Sequence, residues 1–274
     1  MISFPNCKIN IGLHITEKRA DGFHNLESIL TPVYWQDILE IVPNDENQID
    51  VDFKSSGVRL FGSKENNLCI KAYRLLKEHY PLPPIKIHLH KIIPIGAGLG
   101  GGSSDATFTM VMLNKMFNLN IPEDVLEHLS SKLGTDCPFF LHNKTVFANE
   151  KGDKFVKIKS KEKEYFIVLI KPKIHINTTQ AYSWIKPVKR KVSLKELIMQ
   201  PIESWKENIF NDFEIPVFEK YPAIKNIKAR LYKLGAIYAS MSGSGSTVYG
   251  IFEDEKHLNT YFRSSVLYQG KINI

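Results

Sequence analysis

The chain has 274 residues, 43% of them hydrophobic and 24% charged, and a formal net charge of +7 from 36 Lys plus Arg against 29 Asp plus Glu. That length suits one large domain or two ordinary ones, and the composition excludes wholesale disorder and a small disulfide-stapled scaffold. The basic residues are scattered rather than gathered into a stripe with aromatics, so the charge reads as a mildly basic enzyme surface suited to anionic small substrates, with nucleic-acid binding as the rival.

In chain order, Cys7, Ile9, Ile11, Leu13 and Ile15 alternate with Lys8, Asn10, Gly12 and His14. Period two predicts a half-buried strand with Lys8 and Asn10 side by side on its polar face. Residues 19–24 carry Asp-Gly turn chemistry. Strands are expected around 29–34, 38–42 and 49–53, then a helix over 67–80 ended by Pro81, Pro83 and Pro84. Ile85, Ile87 and Leu89 alternate with Lys86, His88 and His90 in a strand that runs into a glycine-rich stretch. From Asp105 onward, Ala106, Met110, Leu113 and Phe117 recur at helical spacing. Pro122 opens a further helix closed by Gly134, and Thr135, Asp136, Cys137 and Pro138 read as a fresh helix start. A lysine-rich connector, 157–163, leads to a strand at 165–170 and a mixed stretch to about residue 213. A helix over 222–234 ends at Gly235, and strands at 236–241 and 247–252 flank Ser242, Gly243, Ser244, Gly245 and Ser246. A short helix near 257–263 and a last strand complete the expectation of two α/β units divided near residue 158.

The longest apolar run, 165–170, is far short of the roughly 20 residues that span a bilayer. The N-terminus has no basic region followed by an apolar stretch, so no secretory signal is expected. Cys7, Cys69 and Cys137 are odd in number and form no CxxC pair, which fits a reducing compartment and argues against a disulfide framework or structural zinc. A soluble, cytoplasmic protein is the expectation.

Five glycines between Gly96 and Gly102, followed by Ser103 and Ser104, stand where a strand gives way to a helix. Glycine lets the backbone approach a ligand with its amides turned inward, and a helix start adds partial positive charge. The stretch is therefore an expected anion cradle for a di- or triphosphate, a plain flexible turn being the alternative. No lysine precedes the serines, so it is not a Walker-type loop. Residues 96–101 match GxGxxG, but the acidic residues at dinucleotide-fold distance, Glu123 and Asp124, open a helix instead of ending a strand, which weakens a dehydrogenase reading. Marks of the eukaryotic-type protein kinases are missing.

PIGAGLGGGSSDA, from Pro94 to Ala106, resembles the central phosphate-binding motif of the GHMP kinases, which include galactokinase, homoserine kinase and mevalonate kinase. CKINIGLHITEKRADGFHNLESI, the triple glycine, LGTDCPFFL and MSGSGSTVYGIF occur in the order found in the branch of that superfamily acting on 4-diphosphocytidyl-2-C-methyl-D-erythritol, and they span nearly the whole chain. The resemblance implies an α+β, two-layer GHMP kinase fold. Residues 1–157 would be a ribosomal-S5-like, ATP-binding N-terminal domain and 158–274 a ferredoxin-like C-terminal domain, with the site between them. It implies transfer of the ATP γ-phosphoryl group to the 2-hydroxyl of that substrate, in non-mevalonate isoprenoid precursor biosynthesis, with ATP and Mg²⁺ required. Another GHMP kinase, acting on mevalonate or homoserine, is the alternative. The aromatic-histidine pair in ADGFH suits a cytosine pocket and favours the first reading. A small-molecule partner is expected, with no nucleic acid or membrane, in a monomer or homodimer.

By the same resemblance, Pro94, Ile95, Gly96, Ala97, Gly98, Leu99, Gly100, Gly101, Gly102, Ser103 and Ser104 bind ATP, and Lys8 and Asp136 are catalytic. Asn10, Phe23, His24, Thr178 and Tyr182 bind the acceptor, Phe23 and Tyr182 stacking on the cytosine and His24 reading its edge. On its own terms Asp136 sits in a first helical turn, where the dipole keeps a carboxylate ionised, although an ordinary capping aspartate reads the same way. Lys8 alone could be a solvated surface lysine, and Tyr182 a plain core aromatic. Phe23 stands where the motif more usually has tyrosine, keeping the π-face and losing a hydroxyl. His88 and His90 share a strand face but have no third ligand in view, so they read as exposed strand histidines. No protein ligand for Mg²⁺ is named by the sequence. Residues 242–246 are either a hairpin turn or, as in the family, a loop approaching the substrate.

Overall fold

The computed structural model describes residues 1–45, 49–158, 163–263 and 265–274. Residues 159–162 of the expected connector lie outside the described residues. In chain order the elements are β1 (Ile2–Ser3), β2 (Asn6–Lys18), β3 (His24–Gln36), β4 (Ile38–Pro43), β5 (Val51–Gly57), α1 (Leu68–Lys77), β6 (Ile85–Lys91), α2 (Gly101–Met116), α3 (Glu123–Ser131), α4 (Cys137–His142), β7 (Val146–Asn149) and β8 (Lys154–Lys157). They continue with β9 (Glu164–Lys171), α5 (Thr178–Ser183), α6 (Leu194–Leu197), α7 (Trp205–Asn208), α8 (Glu214–Lys220), α9 (Pro222–Lys233), β10 (Tyr238–Met241), β11 (Val248–Phe252) and β12 (Val266–Asn273). Contacts group the chain into two units, each discontinuous in sequence: Met1–Cys7, Trp35–Ile95 and Gly100–Asn143 in the first, Lys8–Tyr34, Gly96–Leu99 and Lys144–Ile274 in the second.

The first unit carries a sheet in the order β1-β4-β6-β5. β4 and β6 pair antiparallel, Leu39 opposite Leu89 and Ile41 opposite Ile87. β5 and β6 run parallel and are joined through α1, as a parallel pair requires. Asn67 starts α1 by accepting the Cys69 amide on its side chain at 2.8 Å. The buried face of β6 (Ile85, Ile87, Leu89) packs in one core with Tyr73 and Leu76 of α1, Met110 and Leu113 of α2 and Leu126 and Leu129 of α3.

The second unit holds the antiparallel sheet β10-β11-β9-β12 and the sheet β2-β3-β7-β8, apart from residues 6–7, 35 and 36 of β2 and β3, which group with the first unit. Residues 165–170 of β9 are buried on both faces, which is why that strand reads as an unbroken apolar run. Val168, Ile170, Met241 and Val248 share a core with Ile224 and Leu231 of α9. Among the described residues no helix is long and apolar enough to cross a membrane.

Several expectations need correction. β2 is covered on both faces, so Lys8, Asn10, Gly12 and His14 are buried rather than turned to solvent. α2 begins at Gly101 and takes in the last glycines and both serines, because only tertiary contacts decide where a glycine run stops being loop. The short helix expected near 257–263 is a set of turns, its apolar residues Leu258 and Phe262 being drawn into the core without a helical ladder. α8 occupies residues 214–220, between the mixed stretch and Pro222, where no element is expected from the sequence.

His14 on β2 is 1% exposed and neither ring nitrogen has a partner among the described residues. Burial first, and then the nearby Arg190 guanidinium, lower its pKa to about 4, outweighing Asp212 and Glu27. The unfolded chain therefore binds this proton below about pH 6.5 while the folded chain stays neutral down to about 4. Its contribution is whole above pH 6.5 and is lost as pH falls towards 4, up to about 3 kcal/mol. Urea denaturation of wild type and His14→Phe at pH 7.5 and 5 should show a shallower loss in the variant, and equal losses would rule this origin out.

Candidate active site

The chain from β6 to α2 is built by alternation. Gly96, Gly98 and Gly100 take φ of 59°, 78° and 68°, while Ala97 and Leu99 between them are buried. The left-handed glycines let the backbone double back while the two apolar side chains anchor it. Within the second unit the anchoring is tight. The Lys8 amide donates to the Leu99 carbonyl at 2.9 Å, and the Thr247 amide donates to the Ala97 carbonyl at 3.3 Å. A Cβ on Gly98 would come within 2.1 Å of the Ser242 carbonyl oxygen, and one on Gly96 within 2.7 Å of the His175 ring.

The second glycine-serine loop, 242–246, joins β10 to β11 and is buried throughout. It is thus a hairpin turn, and it also packs on the first glycine loop. Ser242 Oγ donates to the Gly98 carbonyl at 2.7 Å and accepts the Asn10 amide at 3.3 Å. Asn211 holds the loop from beneath, its Nδ2 donating to the Met241 and Gly243 carbonyls at 2.7 and 2.8 Å.

Lys8 and Asn10 meet as the strand pattern predicts, but inside the protein. Lys8 is 4% exposed, and its Nζ donates to Asn10 Oδ1 at 2.6 Å. Asn10 Nδ2 donates to Ser28 Oγ at 2.8 Å, and Ser28 Oγ donates to the Gly12 carbonyl at 2.7 Å. Each member is held by the next, so the ammonium has a fixed address, and the solvated-lysine alternative falls.

In the first unit, α2 supplies a first turn made of Gly101, Gly102 and Ser103, whose amides have no acceptor inside the helix. Ser104 N already donates to the Gly100 carbonyl at 2.9 Å. Ser103 is half-buried, whereas Ser104 is fully buried and its hydroxyl has no partner among the described residues. Of the two, Ser103 stands where solvent reaches. Asp136 is the residue before α4, half-buried, and the turn it belongs to lies against this helix start. A Cβ on Gly134 would be 3.5 Å from both Ser103 Oγ and Cys137 Sγ. Thr107 Oγ1 ties the same turn down by donating to the Cys137 carbonyl at 2.8 Å. Burial pushes the Cys137 thiol up to about 11, so it stays a thiol.

Phe23 and His24 are presented by the turn the sequence predicts. Asp21 accepts the Arg19 guanidinium at 3.0 Å and the Phe23 amide at 3.1 Å, with Gly22 at φ 85°. Phe23 is 57% exposed with Lys151 Nζ 5.3 Å from its ring centroid. The ring stacked on Tyr182 is His24, at 5.1 Å and 25°, and Tyr182 also meets Phe213 edge-on at 4.9 Å. Burial and then Lys18 lower the His24 pKa, favouring the neutral ring. Thr178 is exposed at the start of α5, its hydroxyl 3.0 Å from Ser244 Oγ. His88 Nε2 and His90 Nδ1 both sit 2.9 Å from Ser56 Oγ.

Sequence reading missed Ser28, Asn211, Ser242 as a latch, and the buried group Asp37, Lys91 and Asp105. For Lys91 a signal existed. It continues the Ile85, Ile87, Leu89 series and so falls on the buried face of β6. Ser28 and Asn211 had no such signal, since their partners are distant in sequence.

Two family models match the chain, GHMP kinases N terminal domain over residues 67–144 and GHMP kinases C terminal over residues 193–261. A protein of Cytophaga hutchinsonii named 4-diphosphocytidyl-2-C-methyl-D-erythritol kinase is 49% identical over 268 residues, covering 95% of this chain and 96% of that one. A solved structure of 4-(cytidine 5'-diphospho)-2C-methyl-D-erythritol kinase superposes with a TM-score of 0.86 at 26% identity, covering 100% of this chain and 99% of that one. The mevalonate kinase of Methanococcus jannaschii, at 16% identity and a TM-score of 0.71 over 100% of this chain and 98% of that one, is alike in fold.

The contact of Gly98 with residue 242 has a measurable consequence. Gly98→Ala should destabilise by about 3 kcal/mol, because the added methyl meets backbone that cannot turn aside. Gly235→Ala, also at positive φ but with open space, should cost only about 1 kcal/mol. Denaturant titrations giving equal losses would mean that the two glycine loops are not pressed together.

Proposed function

The chain belongs to the GHMP kinases, in their 4-diphosphocytidyl-2-C-methyl-D-erythritol kinase branch, and we propose how its own residues carry out that branch's reaction. The chain is an ATP-dependent kinase of non-mevalonate isoprenoid precursor biosynthesis, phosphorylating 4-diphosphocytidyl-2-C-methyl-D-erythritol. The observation that carries this reading over a mevalonate or homoserine kinase is likeness along almost the whole chain to kinases of this one acceptor. The two family matches fall on either side of residue 158, which supports the proposed division into domains 1–157 and 158–274, while contacts group residues 8–34, 96–99 and 144–157 with the second part.

ATP binds by its phosphates to residues 94–104, the amides of Gly101, Gly102 and Ser103 and the Ser103 hydroxyl donating to phosphate oxygens. The first turn of α2, whose amides have no acceptor inside the helix and where Gly102 is exposed, supports this assignment. Asp136 accepts the proton of the acceptor's 2-hydroxyl as its oxygen bonds to the γ-phosphorus and the bond to the ADP oxygen breaks. Lys8, oriented by Asn10, offsets the negative charge that builds on the transferring group. Mg²⁺ bound with ATP would neutralise phosphate charge. The cytosine is held at the group of Phe23, His24 and Tyr182, with Thr178 near the acceptor. The exposed Phe23 ring and the presence of all three in the second unit support that placement. Buried thiols at Cys7, Cys69 and Cys137 fit a reducing cytoplasm, and either a monomer or a homodimer accommodates this chemistry.

Side-by-side ADP-release assays should show turnover with the cytidine-bearing acceptor and little with mevalonate or homoserine; the reverse preference overturns the substrate assignment. Asp136→Asn should lower kcat by about 10²–10⁴-fold while leaving the KM for ATP within about threefold. Retained turnover in that variant would remove Asp136 as the base.

A further inference from the structure

We propose that Asp37, Lys91 and Asp105 form a buried positioning clamp for the phosphate-binding loop, fixing the strand end that enters it and the helix that leaves it in the arrangement that grips a polyphosphate. The proposal rests on the kinase reading above for the nucleotide, and on the first unit alone for its geometry.

All three side chains are almost wholly buried. Asp37 Oδ1 accepts both amides that lead into the loop, Ile92 at 2.5 Å and Ile93 at 2.8 Å. Its other oxygen takes the Lys91 ammonium, which also donates to Asp105 Oδ2 at 2.6 Å. Asp105 directly follows Ser104 near the start of α2. The ammonium lies under the helix's first turn, for a Cβ on Gly101 would come 3.1 Å from Lys91 Nζ and 2.9 Å from Ile93 Cγ2. Contacts therefore run from residues 92 and 93 through Asp37 and Lys91 to Asp105, linking the strand end before the loop to the helix after it.

The charges argue for positioning rather than attraction. Two carboxylates and one ammonium sum to −1 when all are ionised, the wrong sign for drawing in a polyphosphate. Burial works against the Lys91 charge, and the two carboxylates outweigh it, so the ammonium stays protonated. A buried ion group of this kind is costly beside an apolar one of equal volume, and what it adds is direction. Lys91 can satisfy both carboxylates only with α2 and the 91–93 segment in register. The remaining faces are closed by neutral groups. Thr109 Oγ1 donates to the Asp105 carbonyl, Cys69 lies in the same core, and Asp105 Oδ1 has no hydrogen-bond partner among the described residues.

Burial raises the Asp105 pKa to about 7, so at about pH 8.5, where it is ionised, Asp105→Asn preserves shape and an acceptor for Lys91 while removing the charge that draws it in. Calorimetric titration with Mg-ATP and no acceptor should show Kd raised about tenfold or more, because small misplacements of a binding group carry penalties of that size. The acceptor's KM should stay within about threefold, and Lys91→Arg should keep tighter ATP binding than Lys91→Met. Unchanged ATP affinity in Asp105→Asn, or equal loss for ATP and acceptor, overturns the clamp. Should the variants fail to fold, amide exchange in the wild type decides: Ile92 and Ile93 must exchange at least about tenfold slower than Ile95, and equal rates overturn the proposal. A wild type that binds ATP but leaves the acceptor untouched sinks the kinase reading alone, since ATP binding still judges the clamp. A wild type that binds no ATP sinks both.

Discussion

A backbone carbonyl at Ser242 reaches Gly98 so closely that no side chain could stand there, and that approach holds the first glycine loop on the second. Bringing two glycine loops together requires both to give up side chains at the contact, and each glycine carries an entropic cost. The cost is offset by specific bonds. Ser242 bridges the Gly98 carbonyl and the Asn10 amide, Leu99 takes the Lys8 amide, and Asn211 fastens the second loop through two carbonyls. Each is a modest net gain of about 1 kcal/mol, but a buried polar group left without its partner would cost more. The arrangement is therefore favoured as a set and resists partial loosening.

The same loop is secured differently at its other end. Residues 91–93 and the start of α2 are joined by a buried ammonium held between two carboxyl groups instead of by close backbone approach. Charges suit a place where two elements must keep register, because their bonds are directional and costly to misalign. Apolar anchors suit the middle, where Ala97 and Leu99 only need to stay inside. The glycines between anchors can then turn their amides outward, which is what a phosphate site needs.

For the acceptor side, the ring stacking of His24 on Tyr182 shifts attention within the expected group. The turn built by Arg19, Asp21 and Gly22 presents Phe23 outward and His24 against Tyr182, so the most accessible aromatic face is that of Phe23. Lys151 lies over that ring, a cation–π contact that a base stacking there would have to displace.

Local information in the sequence determined most elements. Alternation marked β2 and β6, an unbroken apolar run marked β9, Asn67 and Pro122 marked helix starts, and Gly235 at φ 94° marked a helix end, because these signals act through a residue's own backbone and near neighbours, whereas α3 stops at Ser131, three residues short of Gly134. The phosphate loop was legible for the same reason, as glycine density at a strand-to-helix junction is a local pattern. Tertiary structure alone decided which polar residues are inside. Lys8 and Asn10 share a strand face by period two, yet only the packing of distant segments around β2 buries that face and supplies Ser28 and Ser242 as partners. Asp37, Lys91 and Asp105 come from three separate stretches, and no local rule pairs them. Burial of a charge depends on what the rest of the chain brings to meet it, and that is settled only when the chain has folded.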